Sequence, residues 1–172
     1  MTIKDAPGPV PDGYSRIDPW VISQDTAAEI EFLRQVFGAE ERGSRVLNED
    51  GTVAHAEVEA AGAVLMMFDQ QPGWPRLPAH LRIYVDDAQK TVEQALACGG
   101  RLITQPTELA FGQIAARVRD PQGHLWWIFQ VVEEVSAEEM GRRFADPGYQ
   151  EAMAYVQSSL AAELESSASQ QS

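Results

Sequence analysis

An α+β fold built from two tandem βαβββ modules, with helices added at the C-terminal end, is the architecture this sequence predicts. Three observations predict it. Shifted by 62 positions, residues 21–38 fall on 83–100, so that Asp25 meets Asp87, Ile30 meets Val92, Glu31 meets Glu93 and Gly38 meets Gly100. Each copy reads as a strand and then a helix. Each helix is followed by strand-rich sequence broken by a tight turn.

The elements follow in order. Residues 17–22 and 81–85 are short and apolar, as strands are. Asp25 and Asp87 stand where helix N-caps belong, and Gly38 and Gly100 where helix-ending glycines belong. Between them Ile30, Leu33, Val36 and Phe37, and in the second copy Val92, Ala95 and Leu96, have helical spacing. Residues 52–59 and 63–68 are strands around Ala61-Gly62. Residues 113–119 and 125–131 flank Asp120-Pro121-Gln122-Gly123, whose Pro and Gly positions make a hairpin turn. Ser136-Ala137-Glu138-Glu139 has capping-box form. Asp146-Pro147 then starts a helix with Tyr149, Met153, Val156, Leu160 and Leu164 on one face. That stripe needs a cover, either its own domain or a second subunit.

The expected organisation is an extended arm over residues 1–14, rich in Pro and Gly, and a first module over 15–72. A linker over 73–78 leads to a second module over 79–133. A helical extension occupies 134–165 and a frayed polar tail 166–172.

Composition narrows the function classes. The 172 residues carry 13 Lys and Arg against 26 Asp and Glu, a formal net charge of −13. Such a chain repels phosphate backbones and anionic lipid, so the expectation is no nucleic acid and no membrane partner, and at most attraction for cationic ligands. Cys98 is the sole cysteine, which leaves neither an internal disulfide nor a thiolate cluster. No apolar run reaches spanning length and the start lacks a signal core, so a cytoplasmic protein is expected.

Several segments resemble the vicinal oxygen chelate superfamily of glyoxalases, bleomycin-resistance proteins and extradiol dioxygenases. They are Ala27-Ala28-Glu29-Ile30-Glu31-Phe32 with Phe37-Gly38-Ala39-Glu40, and His55-Ala56-Glu57. In the second module they are His80-Leu81-Arg82-Ile83-Tyr84-Val85-Asp86-Asp87 and Arg117-Val118-Arg119-Asp120-Pro121-Gln122-Gly123-His124-Leu125-Trp126. The resemblance runs from about residue 16 to 133. It implies a mixed sheet curled around a cleft, commonly completed in a dimer.

In metal-dependent members the first and last strand of each module carry a ligand. Carried onto this chain, those positions are Asp18, Met66, His80 and Trp127. Met and Trp offer a hard divalent ion neither oxygen nor imidazole, so no metal and no cofactor is expected. Strand alternation then assigns the cleft face. Asp18, Trp20, His55, Met66 and Phe68 should line it from the first module, with Glu57 beside them. His80, Arg82, Tyr84, Trp127 and Phe129 should line it from the second. Phe111 and Trp74 sit on connections able to close over a ring. Trp126 and Cys98 read as core, and His124 as a turn-stabilising residue.

Apolar walls with a few placed polar groups are how small-molecule sites are built. The leading expectation is therefore a homodimer that binds a planar or aromatic small organic molecule without metal. No catalytic residue is identified on that reading. The alternative is a lyase, isomerase or dioxygenase-type enzyme, with His80, His55 and Glu57 as a displaced metal set or with His80 or Glu57 as a metal-free base.

Overall fold

The structure, a computed structural model, describes residues 10–169. The expected arm falls outside it over residues 1–9 and the expected tail over 170–172. The described chain is α+β and divides into two compact units between Leu77 and Pro78, inside the proline-rich linker. Each unit has its own open sheet of mixed strands, so the expected curled sheet is two sheets.

The first unit runs β1 (Trp20–Ser23), α1 (Thr26–Phe37), β2 (Glu40–Glu41), β3 (Val46–Leu47), β4 (Val53–Ala60) and β5 (Ala63–Asp69). Its sheet order is β1-β5-β4-β2, with β3 also on β4; β1 is parallel to β5 and the rest is antiparallel. Asp25 caps α1 by accepting from Ala28 N at 2.8 Å, and Gly38 ends it in the left-handed region. Ala61 and Gly62 both take positive φ, as a two-residue hairpin of matching twist requires. That turn sets the register read from the sequence, Glu57 opposite Met66 and Glu59 opposite Val64. Ala56, Val58, Leu65 and Met67 are accordingly buried with Ile30, Phe32 and Leu33 of α1.

The start of this unit departs from expectation. The strand begins at Trp20, not residue 17, and Ile17 is 86% exposed rather than packed on the helix. Asp18 lies before the strand instead, where its Oδ1 accepts from Ser15 N and Ser15 Oγ. Pro19 supplies no N–H to a ladder, and the strand starts three residues later than expected, the first bond to β5 being accepted by the Pro19 carbonyl from Met66 N. The described part of the arm is also not extended: Tyr14 N donates to Pro11 O.

The second unit runs β6 (His80–Tyr84), α2 (Ala88–Ala97), β7 (Arg101–Leu109), β8 (Gln113–Arg119), β9 (Leu125–Val131), α3 (Ala137–Ala145) and α4 (Pro147–Ser169). The sheet order is β6-β9-β8-β7, with β6 parallel to β9. Asp87 caps α2 through Lys90 N, while the helix ends two residues sooner than the repeat implies. Gly99, not Gly100, takes the positive φ. Gly100 is held by proximity, since a Cβ there would stand 2.8 Å from Ala95 O. Leu96 turns outward, and Ala88, Val92 and Ala95 form the buried stripe. Cys98 is half-buried, its Sγ accepting from Gln94.

Of the expected capping box only the N-cap half forms, Ser136 Oγ accepting from Glu139 N, while the Glu139 carboxylate pairs with Arg142 and Arg143. Pro147 opens α4 at the first-turn position where a missing N–H costs nothing. This helix continues through residues 166–169, which corrects the expected fraying there. Its stripe finds its cover inside its own unit: Val156 is buried with Leu109, Ala115 and Phe129, and Ala152 and Met153 pack beside them. Farther along, Glu163 accepts from Arg101 Nη2 at 2.8 Å and Arg119 Nε at 2.6 Å.

That last contact carries a pH dependence. Burial pushes the Glu163 carboxyl up, but hydrogen bonds from Arg101 and Arg119 outweigh it and leave the pKa below the usual value. A folded pKa below the unfolded one stabilises above about pH 4.3, and the contribution is lost as pH falls through the folded value. Amide exchange should therefore show α4 losing protection between pH 5 and 3 (roughly the range over which a paired carboxylate titrates), and Glu163→Gln should flatten that dependence. Equal protection of α4 at both ends of the range would contradict it.

Candidate functional site

In the first unit the helix-free face of the sheet presents an aromatic group. Pleating puts Trp20, Met66, Phe68 and His55 on the side opposite the buried Val21, Met67 and Ala56. Trp20 meets Phe68 edge-on at 5.4 Å and His55 at 5.9 Å, and Trp74 meets Phe68 edge-on at 6.1 Å. Trp20 stays 52% exposed and Trp74 47%. Two large rings left half in water on one face are a candidate ligand wall. Trp74 is placed by Gln70, whose Nε2 donates to its carbonyl.

Beside that wall runs a short polar chain. His55 Nε2 lies 3.2 Å from Glu57 Oε1, and Tyr14 donates its O–H to Glu57 Oε2 at 2.5 Å. The Arg42 guanidinium stands 4.5 Å over the Tyr14 ring while its Nη1 donates to Gly13 O. The tyrosine and histidine hydrogen bonds hold the Glu57 carboxyl below its usual pKa, and the same carboxylate pushes the Tyr14 hydroxyl up. Tyr14 and Arg42 have no sequence signal: they lie 43 and 15 positions from Glu57 and meet only after folding.

In the second unit the corresponding face carries His80, Arg82 and Tyr84 of β6 opposite Leu125, Trp127 and Phe129 of β9. The register beyond them places Arg117 opposite Trp127 and Ala115 opposite Phe129. The outcome differs from an open cleft, because α4 lies over part of this face. Phe129 and Leu125 are buried, and Phe111 packs into the α4 cluster rather than standing over an open site. His80, Arg82, Tyr84 and Trp127 keep solvent access. The His80 and Trp127 rings are 6.5 Å apart, and Arg82 stacks 3.9 Å over Phe129 and 4.7 Å over Tyr84.

This face is cationic on an acidic chain. Arg82, Arg101, Arg117 and Arg119 share it with one buried carboxylate, Glu163. Burial and the charges of Arg119 and Arg117 hold the His80 imidazole below its usual pKa. The expectation that the protein would at most draw cations, read from net charge alone, does not describe this surface.

The residues do not fit a hard divalent ion. The positions the resemblance implies for ligands carry Met66 and Trp127, Asp18 is taken up by Ser15, and among the described residues no three His, Cys, Asp or Glu side chains gather as a metal site. His124 behaves as expected, buried, with Nδ1 accepting from Ala79 N and its own N–H donating to Asp120.

Residues 16–128 match the family model described as Glyoxalase/Bleomycin resistance protein/Dioxygenase superfamily. Uncharacterized proteins of Mycobacterium bovis and Mycobacterium tuberculosis are 28% identical over 143 residues, covering 77% of this chain and 93% and 84% of theirs. Among solved structures, TioX from Micromonospora sp. ML1 has a TM-score of 0.56 at 20% identity, covering 68% of this chain and 99% of its own. The genomically encoded fosfomycin resistance protein FosX of Listeria monocytogenes also has a TM-score of 0.56, at 15% identity, covering 73% and 97%. At those identities the likeness is one of fold.

Proposed function

The chain belongs to the glyoxalase/bleomycin resistance protein/dioxygenase superfamily, and from that premise we propose that it binds a planar aromatic small molecule without a metal, as a cytoplasmic homodimer. The observation that carries this reading is the open wall of Trp20, Phe68 and Trp74 in the first unit. Edge-on rings at these distances leave faces free for a guest, and each aromatic contact contributes about 0.5–1.5 kcal/mol beyond the area it buries. His55 and Met66 flank the guest. No helix among the described residues is long and apolar enough to cross a membrane.

Titration with uncharged planar compounds should quench tryptophan emission saturably. Trp20→Ala should weaken that binding by about 1–3 kcal/mol, the range for burial of a large apolar side chain. The same sample should carry no stoichiometric metal and sediment as a dimer. Saturable binding that survives both Trp20→Ala and Trp74→Ala would overturn the site, one Zn, Ni, Mn or Fe per chain the metal-free reading, and a monomer at micromolar concentration the dimer.

A second reading is favoured by the Tyr14–Glu57–His55 chain. A carboxylate on one imidazole nitrogen orients the ring so that the other can take a proton, which is the arrangement of a metal-free general base. On that reading a bound carbon acid would exchange its proton with solvent deuterium, and His55→Ala would stop the exchange while leaving binding in place.

A further inference from the structure

Arg117 is 5% exposed and carries a charge that no carboxylate among the described residues offsets. Its guanidinium is pinned rather than free. The carbon Cζ lies 3.8 Å over the Trp127 ring, and Nη1 donates to Thr104 Oγ1 at 3.0 Å and to Val156 O of α4 at 2.8 Å. Nε is buried with no hydrogen-bond partner among the described residues. Burial lowers the pKa of this group, a sign that the surroundings leave its charge poorly compensated.

An arginine fork has two long edges, and the edge formed by Nε and Nη2 presents two parallel N–H groups. Those match the two oxygens of a carboxylate. Here the Nη1 end is consumed by the fold while Nε, on the edge it shares with Nη2, is left without a partner in an interior where an unpaired polar group is expensive. A fold that fixes the plane against Trp127, anchors one end, and leaves the other edge bare has the form of a receptor awaiting an anion. Arg82, which among the described residues meets Gln113 and no carboxylate, adds positive potential on the same face.

We propose that the Nε–Nη2 edge of Arg117, backed by Trp127, is a binding site for the carboxylate of a small planar acid. The acid group pairs with the fork in the guanidinium plane, and its ring lies against the aromatic and imidazole groups of this face, Trp127 and His80. Binding there stabilises the second unit. The site uses none of the side chains of the first-unit wall, so it stands or falls separately from the reading above.

The test uses the full chain with 1-naphthoate and its uncharged isostere 1-naphthamide. Naphthoate should bind at least about tenfold more tightly, the ratio worth 1.4 kcal/mol. Arg117→Lys keeps a positive charge but not the fork, and should bring the two affinities within about threefold. Arg82→Gln should leave most of the preference in place. Because Arg117 also holds α4, a readout on the unmodified protein is needed: the Nε–Hε resonance of Arg117 should shift on adding naphthoate and stay put with naphthamide. Equal affinities, an undiminished preference in Arg117→Lys, or an unmoved resonance would each overturn the proposal. A carboxylate preference that persists in Trp20→Ala upholds this site even where the first-unit wall fails.

Discussion

Trp126→Ala should lower the stability of the second unit by roughly 3–5 kcal/mol, the cost of emptying a buried indole site. Trp126 is 2% exposed, paired across the sheet with Leu81 and Val118, and its Nε1 donates to Asp120 Oδ2 at 2.8 Å. Truncation removes the ring and strips a buried carboxylate of one donor, while Asp120 still holds the hairpin through His124 N. Urea unfolding followed by circular dichroism should show the midpoint fall with the slope preserved. A loss below about 1 kcal/mol would mean the cavity collapses freely, against the close packing of such interiors.

Asp69→Ala should be comparably costly in the first unit. The Asp69 carboxylate is buried at the end of β5, and it accepts from Thr26 N and Val53 N, each at 2.6 Å. One side chain thus ties the first turn of α1 to the start of β4. Hydrogen bonds to a charged acceptor are worth about 1.5–3 kcal/mol each, so losing both and leaving two buried donors should cost about 3–5 kcal/mol. Asp69→Asn keeps one acceptor oxygen and should lose about half as much. Equal losses in the two variants would show that shape rather than hydrogen bonding makes this residue matter.

The repeat made the architecture readable because the cues it copies are local. An N-cap acts on the three residues after it, and a two-residue turn acts on the pairs beside it. Asp25, Asp87 and the Ala61-Gly62 turn therefore landed where the pattern put them. The register of Glu57 on Met66 followed from the turn alone. Position 17 failed because apolar character says only that a residue can be buried, and the ladder to β5 begins only at the Pro19 carbonyl. Gly100 failed by one residue because two adjacent glycines offer the same freedom, and only the approach of Ala95 O separates their roles.

The candidate site was half legible. Alternation found the faces, so Trp20 and Phe68, and likewise Arg82 and Trp127, do share sides of their sheets. The pattern could not say what would lie on a face. The α4 stripe reads identically whether it packs on its own sheet or on another chain, so the burial of Phe129 and Phe111 was invisible. Arg117 was missed for a related reason. Alternation needs an anchor, and without a fixed register between β8 and β9 an arginine in an apolar strand has no assigned side.

The position of α4 also shapes how the second unit comes together over time. Helix α4 follows β9 in the chain, so the four strands of its sheet are synthesised before the segment that covers β7 and β8. Its anchoring contacts join residues about fifty positions apart, such as Thr104 with Ser159 and Gln105 with Tyr155. Contacts of that span close late, since the loop entropy must be met before they form. Until α4 docks, Phe129, Leu109 and Arg117 lack the cover that Val156 supplies.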